Sequence, residues 1–280
     1  MQTNHRIICE FVLKRLAFIL TSVMLLCTAC EFKLKTNEDA EDTARLEVQR
    51  YDRLQARYLT TGDFAALQQM NTDFPIETRT LIEDILHLGE INDPNINARF
   101  LSFYQDTLLQ SIIKDVEIQY ANIDDINNEL STAFEKFSRW YPNTHIPTIY
   151  TQIGSLDQSI IIQEKQIGIS LDKYLGNNYP IYKKFDYSEQ QLATMKREYV
   201  VPDCLTFYLL SIFPLNDFEH SEQQVRDIHM GKILWVVNKM IGRTAYSSEF
   251  VSAVNKYMLS HPQMTIPQLL EKDDYSDMMP

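Results

Sequence analysis

Between residues 45 and 140 the apolar positions recur every three or four residues. In "INARFLSFYQDTLLQSIIKDVE", Leu101, Tyr104, Leu108 and Ile112 fall on one face, which predicts one amphipathic helix of about five turns. "IDDINNELSTAFEKFSRWYP" predicts a second helix, stopped by Pro142, and "DFPIETRTLIEDILHLGEIND" a third that ends near Gly89. After Pro147 the period changes. "TIYTQIG" alternates Ile149, Thr151 and Ile153 against Tyr150 and Gln152, and "SIIIQEKQIGISLD" supplies two further β-rich runs around Glu164 and Lys165. Ile167, Ile169 and Leu171 face one way, while Gly168 and Ser170 leave the second face slim enough for close packing. Three strands in succession are expected to form a small β-meander.

Helical signals return at Ser188. Ser188 with Gln191, and Ser221 with Gln224, both fit the capping-box spacing and predict helix starts. "VPDCLTFYLLSIF" reads as a helix with Pro202 in its first turn, where a missing N–H costs nothing. "VRDIHMGKILWVVNKMIG" reads as another, with Gly242 placed for a C-terminal cap. Helices, a small sheet, then helices define an α+β fold that is predominantly α-helical.

The first thirty residues stand apart. Arg6, Lys14 and Arg15 precede the apolar run "LAFILTSVMLLCTA", which has signal-peptide length and falls short of a comfortable membrane span of about 20 residues. The run ends in small residues before Cys30, the pattern that precedes a lipid-modified cysteine, with Cys27 where a leucine is usual. This predicts cleavage before Cys30 and attachment of lipid, palmitate included, to it; a plain cleaved signal or an uncleaved anchor helix is the alternative. Residues 1–29 are then signal peptide, 30–44 a lipidated flexible tether, 45–270 a single domain and 271–280 a C-terminal tail.

Composition sharpens the picture. The chain carries 26 Lys+Arg against 38 Asp+Glu, a net charge of -12; losing residues 1–29 removes three bases and one acid and leaves -14. Such a surface repels nucleic acid and anionic headgroups, so no nucleic-acid partner is expected and lipid, not charge, must hold the chain to a membrane. Of four cysteines, Cys9 and Cys27 leave with the signal and Cys30 is modified, so Cys204 remains alone and is read as a small buried hydrophobe.

No H-E-x-x-H, nucleophile elbow or phosphate-cradling glycine loop is present. His220 and His229 lie nine positions apart, about 900° around a helix, and so face opposite ways. His87, His145 and His261 stand alone, and Asp203 near a helix start is accounted for by the helix dipole. No catalytic residue, metal or cofactor is expected.

Three stretches carry a resemblance. Leu171, Asp172, Tyr174, Leu175 and Gly176 form L-D-x-Y-L-G; Val201, Pro202 and Asp203 form V-P-D; Gly231, Lys232, Ile233 and Leu234 precede the aromatic Trp235. Together they resemble the GldB family of gliding motility-associated lipoproteins over residues 75 to 260. The resemblance implies a membrane-anchored, non-catalytic accessory or interaction protein of gliding motility or related cell-envelope machinery, with envelope protein partners and an outer-membrane location. It also implies a distant zinc-peptidase-like scaffold without the metal motif; a degenerate or unrecognised peptidase or hydrolase is the alternative. Within the domain, the helix from Val225 is expected to pack on the strand from Ile167, bringing Asp172, Tyr174 and Lys232 together around an Asp172–Lys232 ion pair.

Overall fold

The computed structural model describes residues 46–163 and 165–279. The expected signal peptide, Cys30 and the tether lie outside the described residues. The domain is α+β and mostly helical, with three strands enclosed by helices.

The N-terminal half is an array of helices: α1 (Tyr51–Thr61), α2 (Phe64–Asp73), α3 (Pro75–Arg79), α4 (Ile96–Phe103), α5 (Thr107–Gln119) and α6 (Asp124–Trp140). Helix α3 runs directly into a π-helical segment, Thr80–Ile85. The five-turn helix expected from the apolar periodicity is two helices. Asp106 breaks it, its carboxylate accepting hydrogen bonds from the N–H groups of Leu108 and Leu109 at 2.8 and 3.2 Å. An N-cap that holds two otherwise orphaned donors outweighs an uninterrupted apolar stripe.

Strands β1 (Thr148–Gln152), β2 (Ile160–Ile162) and β3 (Gln166–Ser170) fall where the alternation places them, but they do not form a meander. β3 is central, parallel to β1 and antiparallel to β2. The loop from β1 to β2 therefore crosses to the far side of β3. It does so through Ser155 and Leu156, both left-handed at φ 59° and 65°, a conformation that an apolar side chain seldom adopts. The slim face of β3 does admit a close neighbour. In the β1–β3 register Tyr150 lies opposite Gly168, and a Cβ there would come within 2.6 Å of the Tyr150 ring. The tyrosine ring fills the space the glycine leaves.

The C-terminal half contains α7 (Glu189–Thr194), α8 (Val200–Ile212), α9 (Gln223–Ile241), α10 (Glu249–Ser260) and α11 (Ile266–Leu270). The Ser188 capping box forms, as does the Gly242 cap at φ 77°. The Ser221 box does not. The Ser221 hydroxyl donates instead to the carbonyl of Asp217 at 2.8 Å, and α9 begins after Glu222 without a side-chain cap. Helix α8 packs on β2 and β3, whereas α9 packs on α6, α8, α10 and α11. Residues 271–279, set apart as a tail on sequence, are seated on the domain, with Tyr275 and Met278 buried.

Candidate functional site

Strand β3 ends at Ser170 and the chain turns at once through a 3₁₀ segment, Leu171–Tyr174, that carries the L-D-x-Y-L-G residues. Asp172 is completely buried. Its two carboxylate oxygens accept the backbone N–H groups of Gly154 and Leu156 at 2.8 and 2.5 Å, so this side chain pins the loop that crosses over β3. Burial pushes its carboxyl group above the ordinary aspartate range, against the opposing pull of those N–H groups. The rest of the turn is saturated too. Tyr182 donates to the Asp172 carbonyl and accepts from the Leu175 N–H, while Tyr120 donates to the Tyr174 carbonyl at 2.7 Å. Leu171 and Leu175 are buried, and Gly176 takes a φ of 117° that allows the chain to leave.

Tyr174 reaches away from this sealed turn. Its hydroxyl donates to Asp203 Oδ2 at 2.9 Å, which joins the first family stretch to the second. Pro202 and Asp203 sit in the opening turn of α8, and the second Asp203 oxygen accepts from the hydroxyl of Tyr246, in the loop that follows α9. Among the described residues no basic side chain pairs with this carboxylate. Desolvation raises its pKa to about 6, with the two tyrosine hydroxyls pulling it back. Asp203 is thus more than a partner for the helix dipole. It lines a cleft of about 130 Å³ whose other walls include Ser159, Lys173, Tyr174, Tyr187, Gln191 and Thr194. Lys173 is turned to the wall, donating to the Leu156 carbonyl and the Tyr187 hydroxyl at 3.2 and 3.0 Å. Cys204, next along α8, is buried, and its thiol is pushed well above the ordinary range, which keeps it protonated.

The third stretch lies elsewhere, and the expected Asp172–Lys232 ion pair does not form. Lys232 is buried, and its ammonium donates to the carbonyls of Leu270 and Lys272 and to the Tyr275 hydroxyl at 3.0, 2.9 and 2.9 Å. All three donors are used to hold the C-terminal segment. Desolvation lowers its pKa to about 8. His229 joins the cluster, its Nδ1 2.8 Å from the Tyr275 hydroxyl, and burial lowers its pKa to about 4, so the ring is neutral. His220 is exposed and pairs with Asp217. Gly231 does mark a close approach, but of α10 and not of β3. A Cβ at Gly231 would lie 2.7 Å from Phe250 Cβ and 2.8 Å from the Phe250 carbonyl carbon.

Two of the three stretches therefore converge on one cleft while the third builds a separate joint. A family model described as gliding motility protein GldB matches residues 33–250, a span that contains all three stretches. The chain belongs to the GldB family. It is accordingly a gliding motility-type lipoprotein of the cell envelope, associated with a membrane. No curated protein and no solved structure matches it. Sequence reading found Tyr174 and Asp203 in this GldB-family chain but not Tyr246 or Tyr187, which come from loops with no periodic signal.

Proposed function

We propose that this GldB-family protein is a non-catalytic accessory of gliding or related envelope machinery, anchored through lipid on Cys30, in the outer membrane, and working by binding a protein partner. The observation that carries this reading is where the family residues spend their polar groups. Asp172 is sealed among backbone N–H groups and Lys232 among carbonyls, so neither is free to act on a substrate. Asp203 is the exception and faces a cleft. Its neighbours there are hydroxyls, an amide and Lys173, whose ammonium is tied to the Leu156 carbonyl and the Tyr187 hydroxyl.

The reading is tested by crosslinking in intact cells from positions around the cleft, followed by identification of what is captured. A defined envelope protein, lost when Asp203 is changed, is expected. Turnover of peptide or ester substrates by the purified protein, abolished by Asp203→Asn, would overturn it. Labelled fatty acid should enter the wild-type protein and not Cys30→Ala.

A further inference from the structure

Asp203 lines the cleft with no basic side chain of the described residues within ion-pair distance. Each Asp203 oxygen accepts one tyrosine hydroxyl, from Tyr174 and Tyr246, and a carboxylate has room for about four hydrogen bonds. Two acceptor positions are left over. Lys173 does not fill them, because its ammonium is held by the carbonyl of Leu156 and the hydroxyl of Tyr187 and lies 4.4 Å above the Tyr187 ring. The remaining walls offer further acceptors in the hydroxyls of Ser159 and Thr194. With Lys173 tied back to its own acceptors, a carboxylate that has spare positions and neutral hydroxyls beside it is the complement of a compact cation with three N–H donors.

We propose that the cleft between the 3₁₀ turn, α7 and α8 is a binding site for a primary ammonium group, with Asp203 as its counter-ion. The ammonium is either the end of a lysine side chain from a partner protein or a small free amine. A volume of about 130 Å³ accommodates an ammonium and a few methylenes. The net charge of -12 draws cations toward the molecule from a distance. This inference rests on the binding role proposed above and names the chemistry that would carry it.

Titration of the full-length protein with n-butylammonium chloride at constant ionic strength, followed by ligand-observed saturation-transfer NMR, tests it. Saturable binding is expected, in roughly the millimolar range usual for so small a ligand. n-Butanol, which has the same chain and no charge, should not compete, and Asp203→Asn should weaken binding at least about tenfold. Lysine capped as Nα-acetyl methylamide should bind while its Nε-acetylated form should not; if n-butylammonium binds and capped lysine does not, the source is a small amine. Should Asp203→Asn fail to fold, the wild-type protein still decides the matter through pH. The titratable groups facing Asp203 are Tyr174, Tyr246 and, across the cleft, Lys173 and Tyr187; burial pushes the tyrosines upward and the lysine downward, leaving Asp203 as the group with a pKa of about 6. Amine binding should fade as pH falls below that value. No saturable binding, equal binding of n-butanol, or affinity unchanged from pH 8 to 4.5 would overturn the proposal. Partner capture in cells that survives Asp203→Asn, with no amine binding in vitro, would remove this site and leave the accessory role standing.

Discussion

Asp172 and Asp203 are both acids of the family stretches, and each sits at the start of a helical segment. Their environments are opposite. Asp172 is closed off from solvent and satisfied by backbone N–H groups. Asp203 is satisfied only by side-chain hydroxyls and opens on a cleft. Backbone donors cannot be exchanged for a ligand without unfolding the loop that carries them, whereas a carboxylate with spare acceptor positions can take one on. The contrast separates an acid that builds the fold from an acid available for recognition.

Removing the sealed acid should have the largest effect. Asp172→Ala leaves the N–H groups of Gly154 and Leu156 buried without partners, at about 1–3 kcal/mol each, and frees a loop already holding two left-handed residues. A loss of about 3–5 kcal/mol in chemical denaturation is expected, and a loss under about 1 kcal/mol would show that the loop is held by other means. Gly231→Ala comes next. The added methyl would press on the backbone of Phe250, and overpacking of about 1–3 kcal/mol should exceed the gain of about 1 kcal/mol in helix propensity. Thermal melts should therefore place it below the wild type.

The smaller effects are in pH dependence, and they oppose one another. Asp203 has a folded pKa raised to about 6, so between about pH 4 and 6 the folded chain holds a proton that the unfolded chain has released. Its contribution to stability is present at low pH and declines as pH rises through that window. His229, lowered to about 4, has the opposite sign. The unfolded chain takes up a proton there first, so stability grows as pH rises from about 4 to 6.5. In the wild-type protein these two limbs offset one another across this range. Asp203→Asn should expose the rising limb of His229, and His229→Gln the falling limb of Asp203, each amounting to about 1–2 kcal/mol after allowance for solvent at the cleft. Parallel profiles for all three proteins would contradict this assignment.

The parts of the fold that were legible in sequence are those set by local chemistry. Ser188 with Gln191 announces its capping box, Gly242 its left-handed cap, and the alternation from Ile167 to Leu171 its strand. Strand order is not local. It depends on Asp172 gathering N–H groups from a loop that precedes it in the chain, and the same alternation would serve a meander equally well. Asp106 was hidden because an N-cap inside an apolar run reads as one polar position on a continuous face. The acceptors of Lys232 differ from the expected Asp172 for a related reason. Spacing fixes its face on α9, but its acceptors are carbonyls of the C-terminal segment, which any sequence would supply. The cleft was half legible, since Tyr174 and Asp203 stand in recognisable stretches, while Tyr246 enters from a loop.

The division of labour between the two acids is tested most directly by a single variant measured twice. Asp203→Asn is compared with the wild-type protein for thermal stability at pH 7 and for capture of its envelope partner in intact cells. The expected result is a melting temperature at or above that of the wild type together with loss of capture. Full capture by the stable variant would contradict the account, because the one motif acid left open to a ligand would then have nothing to recognise.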